Sequence, residues 1–365
     1  MTQFDTLPCV KSELDGTEID NIGEAGSSTG ESATNSTSPI RRKKIGVGAL
    51  IGAGAFSLTV AALLPTYAAG QLKKMPLDVE SATISHANGA DVLDAVDTAR
   101  GKPTTDHGVP VQVEVYVTTE DPSDADLTTL QAALRITRTD TPGQAGLISA
   151  SIDRVSLNRK TGLPVSDPAP TTLTVTGRPP VETPREGIQY KFPFDTQKTS
   201  YPYYDGTARQ TNLINFVDED REIDGMRLYH FRQQIGPLNL GESIGKDATL
   251  TLPASSWGLP GDRPFTMNLF YATERDVWVE PVSGAVVAVE EQPHRWLART
   301  ASDPLAVTSF AAHTQFDEKT VAELASTARS ARDTIRWGTV YIPSILAALG
   351  TGLIGTGLVL ARRWR

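Results

Sequence analysis

The run IGVGALIGAGAFSLTVAALL, Ile45 to Leu64, carries no charged side chain and follows directly on Arg41, Arg42, Lys43 and Lys44. A hydrocarbon core roughly 30 Å thick is crossed by about twenty helical residues, so this run is long enough to span a bilayer. Trp337 to Ala361 is a second run of the same kind and closes on Arg362, Arg363 and Arg365. The chain between them is polar on average. The architecture expected is therefore a large water-facing body between two terminal anchors. Lys and Arg collect on the cytoplasmic side of membrane helices. Both termini are thus expected in the cytoplasm and the body outside the plasma membrane, although Lys73 and Lys74 blunt the asymmetry. The competing reading is a signal peptide cleaved near Thr66-Tyr67-Ala68. Such a peptide usually has an apolar region of ~7–15 residues and no long polar segment before it.

This divides the chain into a disordered cytoplasmic tail (1–40), a first transmembrane helix (45–66), an extracytoplasmic β-rich domain (70–313), a juxtamembrane amphipathic helix (316–335), a second transmembrane helix (338–361) and a basic cytoplasmic end (362–365). The tail is rich in Ser, Thr, Gly and acids and poor in large apolar residues, so it cannot offset its chain entropy by burial. Its Thr17, Ser27, Ser28 and Thr29 are candidate phosphorylation sites, with a plain solvated tail as the simpler reading. Small residues recur along both spans: Ala49, Ala53, Ser57 and Ala61 in the first, Ala347, Thr351 and Gly355 in the second. This spacing lets helix backbones approach closely, within one chain or between copies.

The 365 residues carry a formal net charge of −9, which argues against nucleic acid as a partner. The single cysteine, Cys9, precedes the first span, so the outer body folds without disulfides.

Within the body, Val111 to Val117 reads Val-Gln-Val-Glu-Val-Tyr-Val, with four valines on one face. Similar strands are expected at Leu130–Thr137, Gly146–Leu157, Gly187–Phe194, Met226–Ile235, Thr249–Leu252 and Met267–Thr273. Val277 to Val289 reads as a hairpin turning at Pro281–Gly284, and Arg159–Gly162 as an analogous turn. The Pro-rich stretch Pro164–Pro184 is a loop or a sheet edge. The fold class expected is a membrane-anchored, mainly β protein, with an antiparallel sheet or barrel-like ectodomain between two transmembrane helices. Thr314-Gln-Phe-Asp317 then offers a capping-box start to an amphipathic helix, with Val321, Leu324, Ala325, Ala328 and Ile335 on one face. Arg329, Arg332 and Arg336 would sit at the outer headgroup level.

No catalytic constellation stands out. The histidines at 86, 107, 230, 294 and 313 lack the spacing of a metal site, and neither a nucleophile elbow nor a phosphate-cradling loop is present. Gly350-Thr-Gly352-Leu-Ile-Gly355 matches a dinucleotide fingerprint by chance, since no strand precedes it. The acidic run Asp218-Glu-Asp220 with Glu222 and Asp224 lacks the ligand order of a calcium loop and reads as a solvated turn. No metal, cofactor or enzymatic activity is expected. The candidate ligand-binding residues are aromatic: Tyr190, Phe192, Phe194, Tyr201, Tyr203, Tyr204, Tyr229 and Phe231, with Phe216 among them. Rings with polar edges suit sugar faces or lipid chains, and core packing is the competing reading.

Three pieces taken together resemble the actinobacterial "porin PorA family" of cell-envelope membrane proteins, formerly a domain of unknown function. They are Lys44–Gly54 entering Leu64-Pro-Thr-Tyr67, Tyr190-Lys-Phe-Pro-Phe-Asp195 through Ser200-Tyr-Pro-Tyr-Tyr-Asp205, and Val277-Trp-Val-Glu-Pro-Val-Ser-Gly284. The resemblance covers the chain from Lys44 onward. It departs at Asn158-Arg159, where an Asp is expected before the Arg. The family name implies a channel, whereas outer-membrane channels are usually closed barrels without long apolar helices. The resemblance also implies a part in maturing lipoglycans, lipomannan and lipoarabinomannan. In architecture the chain is similar to the scavenger-receptor class B proteins, which bind lipids, a likeness of fold alone. The function expected is an ectodomain that binds an envelope glycolipid and helps its export or maturation. The alternative is a porin-like channel formed by oligomerised transmembrane helices. Expected partners are membrane lipid, a lipoglycan or glycolipid, further copies of the chain, or envelope-biosynthesis proteins.

Overall fold

The computed structural model describes residues 39–174 and 178–364, with side chains from Ile45 onward. The expected tail up to residue 38, with Cys9 and its Ser and Thr sites, lies outside the described residues. So do Arg365 and the side chains of Arg41, Arg42, Lys43 and Lys44.

The first apolar run is part of helix α1, Pro39–Leu72, and the second is helix α5, Ile342–Arg363. α5 continues helix α4, Glu318–Arg336, through one wide turn at Trp337–Tyr341. The two long helices pack antiparallel on each other with glycine at the crossing. A Cβ on Gly54 would meet the Gly350 carbonyl at 2.7 Å, and one on Gly357 would meet Ile51 at 2.8 Å. Ser57 Oγ also donates across to the Leu346 carbonyl at 2.9 Å. The expected small-residue faces are therefore rotated. Ser57, Ala61 and Ala347 lie toward the contact, while Ala49, Ala53, Thr351 and Gly355 point outward. Large apolar side chains such as Phe56, Leu63, Leu349 and Leu358 are exposed all along the pair, as a lipid-facing surface requires.

Between the helices lies one antiparallel sheet of fourteen strands. Its first part is a meander of β1 (Glu80–Leu93), β2 (Thr105–Glu120), β3 (Leu127–Arg138) and β4 (Leu147–Asn158), with one helical turn, α2 (Ala95–Ala99), after β1. The meander ends in the short strands β5 (Thr171–Leu173) and β6 (Val181–Glu182). The Pro-rich stretch thus supplies the sheet edge, where a missing N–H costs no ladder bond. The second part contains β7 (Tyr201–Asp205) and β8 (Gln210–Asp218), then a separate two-stranded hairpin of β9 (Glu222–Ile223) and β10 (Met226–Arg227). It continues through β11 (Tyr229–Asn239), the turn α3 (Leu240–Ser243), β12 (Thr249–Pro253) and the long hairpin of β13 (Pro264–Glu280) and β14 (Ala285–Ala298). β15 (Val307–Ala311) and β16 (Thr314–Phe316) then form a single broken row between β1 and β14, joining the two parts.

The pairing path runs from β6 to β7 without returning on itself, so of the sheet or barrel-like body expected from sequence the structure shows the antiparallel sheet, open among the described residues. Gly187–Phe194 is also not a strand. Gly187 adopts φ +78°, and Ile188 makes one parallel bridge to Tyr203, so the segment plugs the sheet face rather than extending a ladder. Alternation along β13 serves two layers. Val277 and Val279 pack with Phe192, Ile214 and Phe231 on one face. Trp278 packs with Met226, Leu228 and the α4 residues Ala325 and Ala328 on the other. Thr314 lies in β16, so Asp317 alone caps α4, accepting the Thr320 N–H at 2.7 Å. The Asp317 N–H donates to the Ile84 carbonyl at 3.0 Å, which fixes the helix start to β1.

Candidate functional site: the junction of sheet and membrane helices

The segment leaving α1 is fastened at once. The Lys73 ammonium pairs with Asp195. The Met75 N–H donates to the Arg159 carbonyl at 2.8 Å, and Arg159 Nε returns a bond to the Met75 carbonyl at 2.7 Å. The same guanidinium reaches the carbonyls of Asp124 and Ala125 at 3.2 and 3.1 Å. Arg159 can do this because Asn158 Oδ1 accepts the N–H groups of Lys160 and Thr161, each at 3.0 Å, and Gly162 takes φ +71°. An amide oxygen serves this turn as a carboxylate would, so Asn in place of the expected Asp leaves the turn intact.

Asp195 belongs to a loop strapped to the β13–β14 turn. Phe192 N–H donates to the Gly284 carbonyl at 2.9 Å, and Thr196 N–H to the Pro281 carbonyl at 2.7 Å. Gly284 sits at φ +71°, and a Cβ there would collide with the Phe192 carbonyl. The turn is braced by Glu280, whose buried carboxylate accepts the N–H and the hydroxyl of Ser283, each at 2.7 Å. Three separate pieces of sequence, the α1 exit, the 190–195 loop and the 277–284 hairpin, thus meet at one place beside the membrane helices. Lys191 lies there half-buried, its ammonium donating to the Phe192 carbonyl at 2.9 Å over the Phe194 ring. Burial pulls its pKa down to about 7, against the opposing pull of Glu280 and Asp195.

The eight aromatic residues separate into three groups. Phe192, Tyr201, Tyr203 and Phe231 form one ring cluster, with Phe192 and Phe231 centred 4.6 Å apart, and Phe216 links Tyr229 to it. Tyr190 donates its hydroxyl to Asp153 at 2.6 Å, where Arg185 also pairs at 2.7 and 2.8 Å, and Tyr204 lies beneath the Arg185 guanidinium at 4.4 Å. Desolvation is the largest influence on Asp153 and would raise its pKa, but Arg185 outweighs it and the carboxyl ends below its usual range. Phe194 lies under Lys191. Two hollows on the sheet, of about 340 and 350 Å³, are lined by other residues, among them Tyr116, Leu134 and Ile152 in one and His86 and His313 in the other.

Arg362 and Arg363 end α5. Because α1 and α5 are antiparallel, these arginines stand at the same end of the pair as the start of α1, opposite the sheet. Cations suit the C-terminus of α5 but not the N-terminus of α1, so the helix dipole does not account for the basic cluster 41–44. Signals that sequence reading missed are the Arg159 tether and the Glu280 brace. Each sits in a turn whose position was legible, although its bonding partners were not.

These features define a class: an open antiparallel sheet between two helices long and apolar enough to cross a membrane. A family model described as Porin PorA matches residues 47–359, and the chain belongs to that family. A relative from Corynebacterium amycolatum named Porin PorA is 31% identical over 367 residues, covering 83% of this chain and 94% of the relative. Another of the same name from Corynebacterium resistens is 27% identical, covering 88% and 98%. The expectation of a glycolipid-binding domain that assists export or maturation is overturned by these matches, which carry the porin name that the alternative reading requires. The rings that prompted the glycolipid reading are largely spent on packing against one another and on buried ion pairs.

Proposed function

We propose that the protein is a porin-like channel whose conducting path lies between α1 and α5 helices of several copies. Membership of the Porin PorA family carries this reading. The geometry supports it by elimination. Glu114–Arg135 and Arg232–Asp276 stud the sheet with ion pairs, and its edges are unpaired, so a sheet of this kind is unsuited to lipid. Within one chain, α1 and α5 touch at Gly54 and Gly350 and leave no lumen between them, so a pore needs further copies. The most polar outward face of α5 carries Ser344, Thr351, Gly352, Gly355 and Thr356. There the hydroxyls of Thr351 and Thr356 bond back to the Ala347 and Gly352 carbonyls. This is the face assigned to the lumen. The reading includes no enzymatic step.

The membrane in question is the plasma membrane, with both termini cytoplasmic and the sheet outside, as the basic residues at one end of the helix pair support. The native Cys9 tests that orientation, because an impermeant maleimide should label it only after cells are opened. The channel is tested by reconstituting the full chain in a planar bilayer. Discrete conductance steps are expected, and thiol reagents should alter them in a Thr351→Cys variant on a Cys9→Ser background. Silence from protein verified as inserted and oligomeric would overturn the reading.

A further inference from the structure

At the end of β8 three potential ligands gather from two strands and a turn. His230 stands directly opposite Asp218 across the β8–β11 ladder, and Asp220 follows two residues later. One imidazole nitrogen and one oxygen of each carboxylate lie within 4.8 Å of one another. His230 is only 6% exposed. Its Nε2 is 2.6 Å from Asp276 Oδ1, and its Nδ1 is 3.3 Å from Asp218 Oδ1.

Asp276 is matched by Arg232, which bonds it at 2.8 and 3.2 Å. A carboxylate that accepts from Nε2 holds the proton on that nitrogen and turns the Nδ1 lone pair toward Asp218. A lone pair facing a carboxylate is repelled unless a proton or a metal ion lies between them. Among the described residues no Lys or Arg forms an ion pair with Asp218 or Asp220. Arg221, the nearest in sequence, reaches Glu290 at 3.9 Å and stacks 4.8 Å from the Trp278 ring. Asp218 feels the Arg232 charge only at longer range and accepts the Asp220 N–H at 3.3 Å, so neither carboxylate has a Lys or Arg in direct contact.

Trp278 holds this arrangement in place. Its ring stacks on His230 at 4.8 Å with the planes 8° apart, and its Nε1–H donates to Asp220 Oδ1 at 3.3 Å. One side chain thus orients both a buried nitrogen ligand and an exposed oxygen ligand. Outer groups of this kind orient the ligands of metal sites.

We propose that Asp218, Asp220 and His230 form a binding site for a divalent transition ion of the zinc class, with Asp276 and Trp278 as positioning residues. Calcium sites draw on six to eight oxygens. The imidazole nitrogen instead favours a zinc-class ion, which also accepts carboxylate oxygens, with water completing the shell. The site also has a mechanical setting. The turn that carries Asp220 continues to Asp224, whose carbonyl accepts a bond from Arg329 of α4. Leu228 N–H donates back to the Arg221 carbonyl at 3.0 Å. A bound ion would tie this turn to β11 and stiffen the contact between the sheet and the helix that continues into α5. The proposal does not depend on the channel reading, because its test is binding.

The experiment uses the full chain in detergent after chelator treatment, with Zn²⁺ titrated by calorimetry and Co²⁺ by visible absorption. A single zinc ion should bind per chain with micromolar affinity and raise the melting temperature. Asp218→Asn and Asp220→Asn, at exposed positions, should keep the metal-free melting temperature and weaken binding at least about tenfold, and Asp276→Asn should weaken it by a similar factor. Millimolar Mg²⁺ or Ca²⁺ should not displace the ion. No zinc binding below about 1 mM would overturn the proposal. So would binding indifferent to both exposed substitutions, displacement by Ca²⁺, or a His230 that responds to protons alone.

Discussion

Gly54 and Gly350 meet in the helix pair with no side chain between them, whereas Phe192 and Phe231 meet against the sheet with their rings 4.6 Å apart. The two contacts solve the same problem in different solvents. Lipid gives apolar side chains no reason to leave it, so helices associate there through close backbone approach and crossing bonds such as Ser57 to Leu346. Water does expel them, so the sheet is held by bulk: rings, valines and a few buried ion pairs. The junction between these regimes buries Met75 against Leu130, Val155 and Leu157 and adds a third device. It is made of backbone hydrogen bonds, an arginine and a glycine turn.

The contrast can be broken at its strongest point first. Phe231→Ala should leave a cavity against Phe192 and Tyr201 and destabilise the sheet domain by about 3–5 kcal/mol, read as a lowered midpoint in chemical denaturation. Gly350→Leu should force α1 and α5 apart at a cost of about 1–3 kcal/mol. It should lower the resistance of the helix pair to detergent while leaving the sheet's own melting transition in place. Arg159→Ala should cost about 1–3 kcal/mol locally, through the carbonyls of Met75, Asp124 and Ala125 that it leaves unpaired. Hydrogen exchange should then rise over residues 73–79 and hardly change in β13 and β14.

A change of pH sharpens the comparison further. The pKa of Lys191 is about 7 in the fold, below the ordinary lysine value, so between about 7 and that value the unfolded chain binds more protons than the native one. Stability therefore rises as pH increases through this window. Lys191→Met should be more stable than the parent near pH 6, with an advantage that shrinks toward pH 10, as measured by denaturation at each pH.

How much of this was legible depended on whether the signal was local. Ile45–Leu64 needs no partner to be apolar, and Val277–Val289 carries both its strands and its turn, so both were readable. β1 was missed because Glu-Ser-Ala-Thr-Ile-Ser-His has little alternation, and the strand is interrupted by register shifts between Ala87 and Val92. β15 and β16 were missed because each is short and together they make one broken row. Gly187–Phe194 looked like a strand because its apolar residues are buried, yet they are buried as a plug. The aromatic residues were legible as a group, and their division among a ring cluster, the Asp153–Arg185 pair and Lys191 was not. His230 and Asp218 are neighbours by strand register alone, which eleven intervening residues conceal.

The row Val307–Phe316 lies between β1 and β14, although almost all of the sheet precedes it in the chain. During synthesis the two meanders each have an unmatched border until this last piece arrives. The closing anchor follows within a few dozen residues. Completion of the sheet therefore waits for one of the last stretches of the chain, the one that leads into α4 and α5.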